Sequence, residues 1–149
     1  MTATYLDIEA LIVARLVERV TLVPAANVLT YADMASLQET QQPAPGINLL
    51  FGGQQPRRAP TGALSQVIEQ TWIVIPVIRH VGGITSGQAA REAMSPILAA
   101  VDAALLGWEP TLEHDAMQLV GAPSPSYRNG FMNYPLAYRT SYTARGVRQ

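Results

Sequence analysis

The chain has 149 residues, of which 14% are charged and 48% are apolar, and its formal net charge is −1. It contains ten arginines and neither lysine nor cysteine. This composition excludes disulfide scaffolds, thiolate metal sites, cysteine nucleophiles, Schiff-base lysines and the lysine-bearing phosphate loop. The near-neutral charge argues against a dedicated nucleic-acid binder, and the length suits one domain.

The surface is expected to be poor in charge. Charged residues make up 14% of the chain, against about 25% in an average soluble domain. Contact between subunits would explain this deficit, and the alternative is a neutral monomer kept soluble by Gln, Ser and Thr. We expect no signal peptide and no membrane contact, because the first residues lack a basic and an apolar region and the longest near-apolar run, Trp72–Ile78, is too short to span a bilayer.

The first half of the chain predicts one long helix followed by short elements. Hydrophobic periodicity predicts a helix over Tyr5–Val20, capped by Thr4. Its buried stripe should consist of Leu6, Ile12, Val13, Leu16, Val17 and Val20, with Ile8 and Leu11 outside it. We then expect a strand over Val28–Thr30, a helix over Tyr31–Gln38 and an exposed loop over Gln38–Gly46.

The middle of the chain predicts two strands joined by a loop. Ile47–Phe51 has strand composition and should end at Gly52-Gly53, before a Pro/Gly-rich loop over Gly53–Gly62. Val67–Val81 carries the strongest strand signal. Both of its faces are apolar in the middle, so both should be covered, and Pro76 predicts an edge or a bulge.

The second half predicts helices and then strands. A helical segment after Gly82-Gly83 should break at Ser95-Pro96, with Ser95 as a new N-cap. Gly107 is expected to adopt a left-handed backbone conformation just after the last turn of this helical segment. The remaining predicted segments are a strand over Met117–Val120, a loop over Gly121–Tyr127, a strand over Phe131–Thr143 and a mobile tail over Ala144–Gln149.

This order predicts an α+β fold. Residues 1–143 should form a single domain with a mainly antiparallel sheet packed against the N-terminal and central helices. Residues 144–149 should form the mobile C-terminal tail.

No catalytic constellation is predicted. His80 and the run Glu113-His114-Asp115 do not supply the converging ligands of a zinc site, and we interpret that run as a solvated loop. No Gly-x-Ser-x-Gly motif is present, and Ser86 is better explained as a helix start. We therefore predict a protein that is not an enzyme and that has no cofactor and no metal.

Several short motifs admit two interpretations. Gly52-Gly53-Gln54 matches the tripeptide of peptide-release factors but lacks their basic surroundings, and Gly82-Gly83-x-x-x-Gly87 suits a tight turn better than an anion site. Arg57-Arg58 suits either contact with phosphates or an acidic partner, or a solvated loop pair. The C-terminal arginines suit either DNA or a neighbouring subunit, and stacking aromatics are not interleaved with them.

Dispersed segments along nearly the whole chain resemble one known family. They are Asp7–Leu16, Ala32–Ala35 before Gln42–Pro45, Leu50–Gly53, Glu69–Val74, Ala90–Glu92 before Leu105–Trp108, Gly121–Tyr127 and Tyr134–Tyr138. In order and spacing they resemble the tail-terminator, or tail-completion, proteins of Mu-like long-tailed bacteriophages.

The resemblance implies a structural virion protein at the head-proximal end of the tail. In that family a six-membered ring caps the tail tube, stops its polymerisation and offers a docking face to the head-tail connector. The implied partners are further copies of the chain, the tail tube protein and the head-completion protein. DNA would pass through the lumen without being read, and assembly would take place in the host cytoplasm.

We predict the ring contacts from exposure and arginine content. The two Pro-rich loops and the C-terminal arginines should contact other subunits or neighbouring rings, with Gln54, Gln55, Arg57, Arg58, Arg139, Arg145 and Arg148 as candidate residues. Deleting Gln54–Pro60 should leave a folded protein that no longer caps tubes. The alternatives are a neck or head-completion protein on the portal side and, less well supported, a small host enzyme or ligand-binding domain.

Overall fold

The computed structural model describes residues 5–34, 42–79 and 87–147. Three α-helices and seven strands occur in these ranges. The helices are α1 (Glu9–Arg19), α2 (Tyr31–Met34) and α3 (Gln88–Leu105). The strands are β1 (Val28–Thr30), β2 (Gly46–Pro56), β3 (Ser65–Arg79), β4 (Gln118–Val120), β5 (Ser126–Arg128), β6 (Phe131–Asn133) and β7 (Leu136–Arg145).

All seven strands form one sheet centred on β3. On one side β3 pairs with β2, which pairs in parallel with β1. On the other side β3 pairs with β7 along Ser65–Val74 and with β6 along Val77–Arg79. The short strands β4 and β5 lie outside β7 and β6, respectively. Since β1–β2 is the one parallel pair among the described strands, the mainly antiparallel α+β fold is confirmed.

The core lies between one face of the sheet and the helices α1 and α3. Trp72, Val74 and Tyr138 cover the sheet side, and Leu16 and Val101 project from the two helices. Arg15 ties the helices together, because its Nε donates to the Ala104 carbonyl at 2.8 Å and its guanidinium lies 5.4 Å from the Trp108 ring. Within the described ranges, no helix has the length and hydropathy needed to cross a membrane.

Helix α1 differs from the prediction at its start. It begins at Glu9 rather than Tyr5, and Thr4 lies outside the described residues. Ile8, expected outside the buried stripe, is 0% exposed, whereas Leu6 is 54% exposed. Because the backbone before Glu9 forms turns rather than helix, the 100° spacing does not extend to Leu6.

Helix α3 is continuous, so the predicted break at Ser95-Pro96 is wrong. Pro96 lies inside the helix. Proline removes the bond to the carbonyl four residues earlier, that of Glu92. Both residues are exposed, so the cost of the missing bond is reduced by the access of water to this side of the helix. The helix ends as predicted, with Gly107 at φ 79° just after its last turn.

Strand β2 continues through Gly52-Gly53, so its predicted end at Phe51 is also wrong. The register with β3 shifts between Phe51 and Gln54, which marks a β-bulge. Gly53 has φ 108° and provides the backbone conformation that the bulge needs. The predicted loop Gly53–Gly62 therefore begins with four strand residues.

Strand β3 runs over Ser65–Arg79, close to the prediction, and its predicted last two residues lie outside the described ranges. Pro76 is neither at an edge nor at a bulge. It lies where the neighbour of β3 changes from β7 to β6, so one side of the strand needs no donor there.

The helices cover only one face of β3, although both faces were expected to be covered. On the other face Ile73 and Ile75 are half-buried and lie outside the core cluster.

The last predicted strand is two strands, because Tyr134-Pro135 separates β6 from β7. The end of the predicted loop overlaps β5, which forms a hairpin with β6. Asn129 and Gly130 have φ 52° and 80°, as a type I′ turn requires. Strand β7 extends to Arg145, so the first two residues of the predicted tail belong to the sheet.

Candidate functional site

The ends of three adjacent strands form an exposed projection. It consists of the end of β2, the start of β3 and the end of β7, in a register that pairs Gln55 with Glu69 and Ser65 with Arg145. Gln54, Gln55 and Arg145 are all exposed. The projection thus brings together most of the predicted contact residues, while Arg148 lies outside the described ranges.

Arg57 is held in place at the base of the loop that joins β2 to β3. Its backbone N–H donates to the Val67 carbonyl at 2.8 Å, and its carbonyl accepts from Gln66 Nε2 at 2.5 Å. Its guanidinium donates to Glu69 and forms an ion pair with it. The Glu69 side chain is 17% exposed and the Arg57 side chain 59%, so this pair is partly screened by water.

Arg58 is the exposed charge of this loop. Its side chain makes no ion pair or hydrogen bond within the described ranges, in contrast to the neighbouring Arg57. The sequence does not distinguish the two arginines. The structure assigns Arg57 to holding the loop and leaves Arg58 available for a partner.

A polar cavity of about 200 Å³ opens on the face of the sheet that the helices do not cover. Arg57, Glu69, Asp115 and Arg139 line it, so two cations face two carboxylates. Ser141, also in the lining, donates to the Asp115 carboxylate. The two opposite charge pairs cancel, so the cavity has no net charge with which to select an ion.

The cavity does not assemble a nucleophilic triad. Such a site needs a serine hydroxyl facing a histidine that is oriented by an acid. Here Ser141 faces Asp115 directly, and the His114 ring Nδ1 lies 2.7 Å from the Thr111 hydroxyl. Among the described residues, no three His, Cys, Asp or Glu side chains converge as metal ligands.

His114 is buried, so the predicted solvated loop is wrong at this residue. It is 2% exposed, and its ring centroid lies 5.4 Å from that of Tyr142. Burial lowers the pKa of His114, and the nearby carboxylates of Glu113 and Asp115 partly oppose the shift. The ring thus serves as a packing residue. His80 lies outside the described ranges.

Two features of the surface were not predicted from the sequence. The loop Glu109–Asp115 presents Leu112 almost completely to solvent, and an apolar cavity of about 380 Å³ lies beside the middle of α3. Neither contains a metal-ligand, nucleophile or phosphate-binding pattern, so chemical motifs do not indicate them. The signals available were an isolated leucine between carboxylates and a proline on an exposed helical face.

The sequence profile described as phage tail terminator protein matches residues 1–149, the whole chain. No curated protein matches the chain.

Proposed function

Because the chain belongs to the phage tail terminator family, whose members are structural proteins of the virion, we propose that it forms a ring at the head-proximal end of the tail tube. The ring would contain six copies, stop polymerisation of the tube and provide the docking face for the head-tail connector. DNA would pass through the lumen without base recognition. The formal net charge of −1 is in keeping with this, because the chain has no excess of basic residues.

The observation that best supports this proposal is the exposed three-stranded projection. Exposed strand ends that extend from a core are suited to contacts between molecules, and here strand pairing and the Arg57–Glu69 pair hold them together. We propose that the residues predicted from the sequence contact neighbouring subunits or rings. They are Gln54, Gln55, Arg57, Arg58 and Arg145 in the projection, Arg139 in the middle of β7, and Arg148, which lies outside the described ranges.

Capping a growing tube requires two unlike faces. One face must bind the last ring of tube subunits, and the opposite face must fail to bind another such ring. An asymmetric chain that closes head to tail presents two different faces in this way. The structure fits this requirement, since the helices cover one side of the sheet and leave the other open.

Charge reversal at Arg58 tests the role of the projection. We expect Arg58→Glu to fold normally and to lose capping of tail tubes, because the exposed guanidinium would be replaced by a carboxylate at the contact. The matched control is Arg19→Glu, which reverses the charge of an exposed arginine far from the projection, at the end of α1. Capping is measured as the length distribution of tubes assembled with each variant. Normal capping by Arg58→Glu would contradict the proposed contact.

A further inference from the structure

Leu112 is 99% exposed at the tip of a surface loop. The loop Glu109–Asp115, here called the acidic knob, follows α3 and precedes β4. The Thr111 hydroxyl accepts from the Glu113 N–H at 3.1 Å and lies 2.7 Å from His114 Nδ1. These contacts hold the knob in one conformation, so Leu112 does not fold back onto the protein.

Carboxylates flank the leucine of the acidic knob. Glu109 and Glu113 are both exposed, whereas Asp115 lines the polar cavity with Arg57 and Arg139. The knob therefore combines an apolar tip with an acidic base.

A complementary surface lies elsewhere on the same chain. The apolar cavity, of about 380 Å³, is lined by Leu22, Pro45, Ile78, Ala93, Pro96 and Ile97. Arg79 is the charged residue among its described lining, and it is exposed. A cavity of roughly 150 Å³ already holds a benzene-sized molecule, so this one has room for a leucine side chain.

The knob and the cavity are separated along α3. Ala93, in the cavity, and Leu105, at the end of the helix before the knob, are about 18 Å apart along the helix axis. Two different, complementary surfaces at separate places on one chain make a head-to-tail contact between copies, and such contacts close into rings when the rotation allows it.

We propose that Leu112 of one copy inserts into the apolar cavity of the next copy, with the Glu109 carboxylate of the acidic knob facing Arg79. This inference rests on the proposed ring and names its subunit contact. The occupant of the cavity is thus a second copy of this chain. The projection around Arg58 is then left for contacts with neighbouring rings.

Disulfide trapping tests the contact directly, because the natural chain has no cysteine. The test variant carries Leu112→Cys and Ala93→Cys. Under mild oxidation we expect it to form a ladder of covalent oligomers that ends at the closed ring. Each single variant should give dimers at most. The matched control carries Ala14→Cys and Ala93→Cys, where Ala14 is an exposed residue of α1, and it should form no ladder.

The outcomes separate this inference from the proposed function. A missing ladder overturns the inference, and native mass spectrometry of the natural chain, alone and on tail tubes, then shows whether the ring also fails. Rings without a ladder leave the proposed function standing and exclude this contact. Neither rings nor a ladder would overturn both.

A second measurement does not depend on cysteine chemistry. Leu112→Ser should weaken association between copies by about 10- to 100-fold, the range for an apolar anchor at a contact, and leave the melting temperature unchanged. Leu6→Ser, at another exposed leucine, should leave association unchanged. Arg79→Glu should weaken association, and adding Glu109→Arg should restore it. Unchanged association in Leu112→Ser would overturn the proposal.

Discussion

His114 shows how a single residue in an acidic run can become part of the packing. Its sequence neighbours Glu113 and Asp115 are exposed, while its own ring is buried against Tyr142. Burial holds its pKa below the ordinary value, so the neutral ring is favoured in the fold. The unfolded chain binds a proton more readily at this residue than the folded chain does.

We therefore predict that the protein loses stability on mild acidification. The contribution of His114 is fully present above the unfolded pKa of about 6.5 and is lost as the pH falls below that value, because protonation favours the unfolded chain. The free energy of unfolding should be measured between pH 7.5 and 5.5. His114→Phe, which keeps an aromatic ring beside Tyr142, should flatten the slope, and an unchanged slope would contradict the assignment.

Ile8 and Leu6 test the corrected start of α1. Ile8→Ala should reduce the free energy of unfolding by about 2–5 kcal/mol, as for other fully buried aliphatic side chains. Leu6→Ala should change it by less than about 0.5 kcal/mol, because most of that side chain is in water. Thermal or denaturant unfolding measures both. Equal losses of unfolding free energy in the two variants would contradict the corrected start of α1.

At the candidate site, the sequence does not predict which of two neighbouring arginines is paired. The sequence identified Arg57 and Arg58 as a pair on a loop. It did not predict that Glu69, on the next strand, pairs with Arg57 and leaves Arg58 exposed. That outcome depends on the register between β2 and β3, and the register is set by a bulge that residue types do not specify.

Pro96 illustrates how an element can tolerate a residue that normally ends it. We predict that Pro96→Ala raises the free energy of unfolding by about 1–2 kcal/mol, because it restores a hydrogen bond inside a continuous helix. Ser95→Ala is the matched test of the alternative. If Ser95 capped a second helix, its removal would cost about 1 kcal/mol, whereas inside α3 it should cost nothing measurable.

The bulge in β2 depends on the backbone of Gly53. We predict that Gly53→Ala lowers the free energy of unfolding by about 1–2 kcal/mol, because φ 108° is strained for a residue with a Cβ. Apart from its chain neighbours, no atom of the described residues lies within 4 Å of the added Cβ, so any loss would come from the backbone. Gly121→Ala, equally uncrowded and without a positive φ, should be neutral in the same denaturant titration.

At the scale of elements, the sequence predicted the existence of helices and strands better than their ends. Gly52-Gly53 and Pro96 were interpreted as the ends of their elements, yet both β2 and α3 continue. In β2 a bulge accommodates the glycines, and in α3 the proline lies on an exposed side of the helix. Conversely, no element was predicted for Asn129-Gly130, between the predicted loop and the last predicted strand, although it forms a hairpin turn. That dipeptide is a strong turn signal, so this hairpin was predictable.

The two proposed contacts, one at the projection and one between the acidic knob and the apolar cavity, use different parts of the fold. The three-stranded projection extends along the strand direction, and the acidic knob and apolar cavity are set apart along α3. The fold class and the family were predictable from the chain, because they depend on the order and spacing of many residues. The two surfaces were not, since they depend on which residues the tertiary structure leaves uncovered.

We propose that this chain terminates the tail tube, and tail length tests this role. It is measured by negative-stain electron microscopy in a phage lysate from which the gene has been deleted. We expect overlong, headless tubes with ragged ends, and supplying the chain should restore the normal length. Tails of normal length beside separated heads would instead assign the chain to the neck, and fully normal virions would show that it does not terminate the tube.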